Sequence, residues 1–144
     1  MDLSRREVSA LFSAFLPGIP GSATNFVLPS AVFSFDSLPA KVNPKTHAAG
    51  RQVLAGTTHE GFPIDLHITT MPPGQMPHPP HHHIHEEMML VQQGTLEVTI
   101  AGKTNVVGPG SVIYVHSNEE HSLKSVGGVA AQYFVLALGQ RQSA

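Results

Sequence analysis

The sequence predicts an all-β domain of the two-sheet or closed-barrel kind, and three observations carry that expectation. Short apolar runs recur along the chain, several alternating with polar residues in the period of two that marks a half-buried strand. Turn-forming residues separate these runs, with 12 prolines and 13 glycines in 144 residues. The composition, 41% hydrophobic and 12% charged, is enough to fill one core and unlike that of a disordered chain. The length is that of one ordinary domain.

An N-terminal segment, residues 1–25, is set apart from a β domain over residues 26–144. Ser4-Arg5-Arg6-Glu7 has the capping-box pattern, and Val8, Leu11, Phe12, Phe15 and Leu16 follow at helical spacing. Such a helix ends at Pro17-Gly18. A second reading competes. Arg5-Arg6 before the weakly apolar stretch Val8 to Pro17 resembles a twin-arginine export signal, with small-residue cleavage sites near Ala23 or Ala31. A signal implies a periplasmic or exported protein, and a retained helix a cytoplasmic one. No segment approaches the roughly 18 apolar residues of a membrane span.

Ala31 to Phe35 is a short apolar run expected as a strand, and Arg51 to Gly56 another. Ile64, Leu66 and Ile68 alternate with Asp65 and His67 as a half-buried strand. A stiff loop with five prolines spans Pro72 to Pro80. Met88 to Val91 then runs into a turn at Gln93-Gly94, and Leu96, Val98 and Ile100 alternate again. Turns at Ala101-Gly102 and Gly108-Pro109-Gly110 bracket a strand over Lys103 to Val107. Val112 to Val115 and Ala130 to Leu138 complete the series.

With a formal net charge of −2 and no basic stripe, the chain is not built for nucleic acid or an anionic membrane surface. Without cysteine it has no disulfide framework and no thiolate chemistry, which fits a reducing compartment without excluding export. The anomaly is histidine: 10 of them against 8 lysines and arginines together.

The cluster is Pro79-Pro80-His81-His82-His83-Ile84-His85-Glu86-Glu87. In an extended strand His81, His83, His85 and Glu87 share one face, with His82 and Glu86 opposite. Two imidazoles and a carboxylate on one face converge on an ion only if the chain bends, because His81 and Glu87 are six residues apart. A solvated histidine tract is the competing reading.

The spacing around the cluster resembles the cupin superfamily. His81-x-His83, three residues, Glu87, six residues and Gly94 match that family's first motif, with Leu90 to Leu96 at its strand and glycine turn. Fifteen residues further on, Gly110-Ser111-Val112-Ile113-Tyr114-Val115-His116-Ser117-Asn118-Glu119-Glu120-His121 looks like the second: a glycine, a strand, a turn and one histidine. The resemblance spans roughly residues 62 to 138. Departures fall in loops. Six residues separate Gly74 from His81 where five are usual, and His116, Asn118 and Ser125 replace a usual proline, glycine and asparagine. Asn118 tolerates the left-handed conformation that a turn needs.

The resemblance implies a double-stranded β-helix, or jelly roll, with one divalent metal ion held by His81, His83, Glu87 and His121. Three imidazole nitrogens and a carboxylate oxygen suit Mn, Fe, Ni, Co, Cu or Zn rather than calcium. Four protein ligands leave positions open for a small-molecule ligand or substrate. His85 stands on the ligand face by parity, as a neighbour to the ligands or a catalytic proton carrier, against the plainer reading of a partly exposed histidine. His78 is either a rim residue or a solvated loop position. His59, His67, His82 and His116 have no constellation around them and are expected at the surface, with Glu119 and Glu120 solvated. Met89 and Val91 share parity with Glu87 and are expected to line the barrel. Tyr114, Tyr133 and Phe134 are candidate pocket walls or core. Met88 and Leu90 face the other way, where the resemblance implies a homodimer.

Two functions of different kinds follow. One is a metal-dependent enzyme acting on a small oxygen-rich molecule, of the dioxygenase or the isomerase or lyase kind, with the oxygenase class favoured. The other is a non-catalytic module that binds a small molecule or carries metal.

Overall fold

The structure is a computed structural model describing residues 26–139. The expected N-terminal helix or export signal lies outside the described residues. Within them run nine strands: β1 (Lys41–Val42), β2 (Ala49–Thr57), β3 (Pro63–Met71), β4 (Glu86–Gln93), β5 (Leu96–Ile100), β6 (Lys103–Val107), β7 (Val112–Val115), β8 (His121–Ser125) and β9 (Ala131–Leu138). They form two antiparallel sheets, ordered β1-β2-β3-β9-β4-β7 and β6-β5-β8, the jelly roll that the motifs implied. No described helix is long and apolar enough to cross a membrane.

The core lies between the sheets. Met71, Met89, Val91, Val115, Tyr133 and Val135 meet Leu96, Val98 and Leu123, all buried. Period-two alternation builds it. On β9 Ala131, Tyr133, Val135 and Ala137 point inward, and Gln132, Phe134, Leu136 and Leu138 are less buried on the other face. Met89 and Val91 line the barrel as parity predicted, with Met88 and Leu90 exposed outside. Tyr133 is a core residue, whereas Tyr114 and Phe134 lie on the outer face of the sheet.

Three expectations need correction. Ala31 to Phe35 is not a strand: Val32 is fully solvated and a single 3-10 turn occupies Phe35–Ser37. That run has no neighbouring strand to pair with, and Phe35 instead lies under the Arg51 guanidinium, 4.6 Å from its ring centre. On β3 the inward face is Asp65, His67, Thr69 and Met71, not the Ile64, Leu66 and Ile68 face. The histidine run is not one strand, because β4 starts only at Glu86. The two short elements β1 and β8 were not anticipated.

Candidate metal centre

A loop and two strands assemble the centre. Residues 81–85 cross one end of the barrel before β4 begins, pinned by backbone bonds. The His81 N–H donates to the His121 carbonyl (3.1 Å) and the His121 N–H returns to the His81 carbonyl (2.9 Å). The Asn118 N–H donates to the His83 carbonyl (2.7 Å). Asn118 makes that reach from a left-handed conformation, φ 61°, as its replacement of a glycine implied. The bend comes from this loop rather than from a kinked strand.

The ring nitrogens are set by what their other nitrogens touch. His83 Nδ1 lies 2.8 Å from the His85 carbonyl oxygen, and His121 Nδ1 3.0 Å from that of Glu119. A carbonyl oxygen only accepts, so both Nδ1 atoms carry the hydrogen, and each ring in its neutral form presents a bare Nε2. Those two Nε2 atoms are buried without a hydrogen-bond partner, as is Nδ1 of His81. Buried orphans of this kind are costly unless something else fills their lone pairs. One donor atom from each of His81, His83 and His121 falls within 4.8 Å of the others, a cluster able to hold a metal ion.

Glu87, the first inward residue of β4, stands beside them. Its Oε1 is 3.4 Å from His83 Nε2 and its Oε2 is 3.3 Å from His121 Nε2. Metal bonds of about 2.0–2.2 Å to imidazole nitrogen and carboxylate oxygen put donors roughly 3.0–3.5 Å apart. Glu87 therefore stands from His83 and His121 at the spacing an ion imposes, while His81 joins those two histidines in a cluster that does not include Glu87. Two Nδ1–H groups held by carbonyls are also the usual supports of ligating histidines.

His85 stacks on His83, ring centres 3.7 Å apart and planes within 6°, with Nε2 3.4 Å from Glu87 Oε1. His83, His85 and Glu87 form a second triad sharing one residue with the first. His78 is at the site too, its ring centre 3.9 Å from that of His81.

Residues 67–137 match the cupin domain family. The chain is a cupin. No curated protein matches this cupin in sequence. Among solved structures it is similar to the polyketide cyclase RemF from Streptomyces resistomycificus, at 20% identity and TM-score 0.66 over 80% of this chain and 83% of that one. KdgF from Halomonas sp. matches at 16% identity and TM-score 0.68, over 79% and 97%. A predicted oxalate decarboxylase from Thermotoga maritima matches at 15% identity and TM-score 0.65, over 76% and 100%. At these identities the likeness shows the fold.

Other histidines of this cupin sort by environment. His59, His82 and His116 are exposed, as expected, and His116 pairs with Glu119 at 3.0 Å. His67 is the correction: it points into the barrel from β3, paired in register with buried Val135. The sequence signal was present in the alternation of β3, which puts His67 on the face of buried Asp65.

The electrostatics give a signed prediction. Burial alone would raise the Glu87 carboxyl, but the His121, His83 and His85 rings outweigh it and hold the group well below the usual carboxylate range. Burial lowers His67 and His78, and with the neighbouring imidazoles it brings His81 down to about 3. For His121 the Glu87 carboxylate beside its ring outweighs burial, and its pKa rises. A histidine lowered on folding leaves the unfolded state binding more protons, so stability falls as pH falls from the unfolded value of 6.5 toward the folded one. His121 contributes with the opposite sign, a stability full below 6.5 and lost as pH rises through its folded value. The large lowering at His81 sets the sign of the sum. Metal-free protein is therefore expected to melt at steadily lower temperature from pH 6.5 to pH 3, and Glu87 adds to the loss below 4.5. A melting temperature flat across that interval contradicts this assignment.

Proposed function

We propose that this cupin is a metal-dependent enzyme acting on a small oxygen-rich molecule, with one divalent transition metal held by His81, His83, Glu87 and His121. The observation that supports it most is the pair of buried Nε2 atoms, each with its Nδ1–H fixed on a carbonyl and each facing a Glu87 oxygen. An ion in this donor set supplies Lewis acidity and, where redox-active, oxygenase chemistry. Two of the structures it resembles are, by their own names, a polyketide cyclase and a predicted oxalate decarboxylase.

The chain's own residues supply the rest. Glu87 stays ionised over the whole working pH range, so it offers a permanent negative charge to a cation. The Asn118 and His81 backbone bonds fix the loop that carries the imidazoles, which limits how far the donors drift before an ion arrives. His85, stacked on His83 and bonded to Glu87, is the proton carrier nearest the ligands. The oxygenase class is favoured over isomerase or lyase chemistry.

The deciding experiment is metal analysis of protein purified without added metal, followed by oxygen-uptake assays over a panel of small enolisable acids. About one equivalent of iron, copper, nickel or manganese with oxygen consumption supports the oxygenase reading. Zinc with no consumption moves the protein to the isomerase or lyase class. Protein that takes up no metal is a binding module.

The same proposal includes a homodimer. Met88 (42% exposed), Leu90 (46%), Val112 (61%) and Tyr114 (51%) adjoin one another on the outer face of the larger sheet. Across β9 that face continues through Phe134 and Leu136. A continuous apolar patch of this kind is unusual on a monomer. Leu90→Asp is expected to convert a dimer into a folded monomer in sedimentation analysis, and an unchanged dimer would mean that another face is used.

A further inference from the structure

The donor atoms at the end of the barrel fall into two overlapping sets. His81, His83 and His121 make one, and His83, His85 and Glu87 make the other. His83 belongs to both. Its Nδ1 is taken by the His85 carbonyl oxygen, so the same Nε2 must serve each set. One imidazole nitrogen has one lone pair, so the two sets hold a single ion in turn rather than two ions together. Glu87 links them: its Oε1 lies 3.4 Å from Nε2 of His83 and of His85, and its Oε2 3.3 Å from Nε2 of His121.

The sets differ in depth and in support. Side-chain exposure falls from 18% at His85 and 14% at Glu87 to 9% at His83 and 1% at His121, so the second set is the outer one. In the inner set His83 and His121 keep their Nδ1 hydrogens on carbonyl oxygens, the support that a resident ligand needs. His85 has no such support. Its Nε2 donates to Glu87 Oε1, and its Nδ1 is buried without a partner. To bind an ion through Nε2, this ring must move its hydrogen to Nδ1, where nothing accepts it. It also lies flat on the His83 ring, planes within 6°, with both Nε2 atoms toward the same carboxylate oxygen. Lone pairs of parallel rings run side by side, so one ring must tilt before both reach one ion. His85 is placed to take an ion and poorly built to keep it.

We infer that His83, His85 and Glu87 form an entry position for a divalent transition metal, from which the ion passes inward to His81 and His121. This rests on the metal-binding reading above and adds the route by which that centre fills. His85, Glu87 and His83 bind first. His81 and His121 then replace His85, whose hydrogen returns to Nε2 and to the Glu87 oxygen, while His83 and Glu87 keep their hold. No electron moves and no proton is lost in the exchange.

The test follows cobalt(II), by its visible absorption, as it enters the metal-free full chain and leaves it for excess chelator. His85→Ala is expected to slow uptake and release alike, each by about 10-fold, the lower end of what groups around a metal contribute. Equilibrium affinity should not change, because a donor used only in passage alters the barrier from both sides. A final content of one equivalent shows that the variant is folded. His85→Phe keeps a stacked ring without a donor and should behave as His85→Ala does. Protein carrying His81→Ala and His121→Ala should still take up one equivalent of added cobalt at equilibrium, roughly 100-fold or more weakly than the parent. Adding His85→Ala to that pair should abolish the uptake. A His85→Ala or His85→Phe protein that loads at the parent's rate overturns the entry position, as does a parent that fills to two equivalents. Weaker equilibrium binding with unchanged uptake in His85→Ala would make that ring a resident ligand, which also overturns it. Parent that takes up no cobalt defeats the metal reading itself, an outcome distinct from all of these.

Discussion

Protein carrying His81→Ala and His121→Ala together is expected to retain almost no metal where the parent holds about one equivalent. The two residues come from different parts of the chain, the loop before β4 and the first position of β8, joined by a reciprocal backbone pair. That pair does not depend on the side chains, so both substitutions delete donors while leaving the crossing strands in place. Each single variant should weaken metal binding by at least the roughly 10–100-fold known for groups that merely support a ligand. Because ligating histidines must be neutral, the parent should release metal as pH falls, whereas the double variant has nothing to release. His82→Ala is the control, since that residue is exposed and belongs to neither candidate cluster among the described residues. Equal metal in parent and double variant would place the ion elsewhere, and loss of metal in His82→Ala would restore the reading of a solvated histidine tract. Circular dichroism of all variants should match the parent, which separates lost donors from a lost fold.

The strand content of this domain was legible because period-two alternation and glycine turns act locally, within a few residues of each other. Lys103 to Val107 and Val112 to Val115 have the bounds that the sequence predicted. The convergence of His81, His83 and His121 was legible for a different reason, since two spaced motifs encode a long-range meeting that no local rule contains. What failed depended on the partner surface. Ile64, Leu66 and Ile68 look like a core face in isolation, yet Ala137 and Val135 of β9 set the inward rows that Asp65 and His67 join. Alternation tells which residues share a face and not which face is inside. The two-residue β1 and the β8 strand, HSLKS, were missed because β1 is too short for a pattern and β8 mixes a buried histidine, two buried serines and an exposed lysine. Polar residues buried beside a site carry no apolar period.

Gly94→Ala is expected to cost about 3–4 kcal/mol of stability, a large share of what a domain of this size has. Two separate effects add there. Gly94 has φ +76°, in the region where a side chain costs roughly 1–2 kcal/mol. A Cβ at this position would also lie 2.6 Å from Ala131 Cα and 2.7 Å from the Ala130 carbonyl oxygen. These are backbone atoms at the start of β9, which is hydrogen-bonded on both sides to β3 and β4 and cannot shift alone. Gly102 separates the two effects. It has the same φ, +76°, in the turn between β5 and β6, but a Cβ there meets nothing within 4 Å. Gly102→Ala should therefore cost only about 1–2 kcal/mol, the conformational part. Chemical denaturation of both variants measures the difference, and equal midpoints would mean that Gly94 is required for its backbone angle alone. A larger loss at Gly94 ties that glycine to the centre: β9 would be displaced beside β4, and with it the row in which Ala137 adjoins Glu87. Gly94→Ala should then also weaken metal binding, although no ligand has been touched, whereas Gly102→Ala should leave it unchanged.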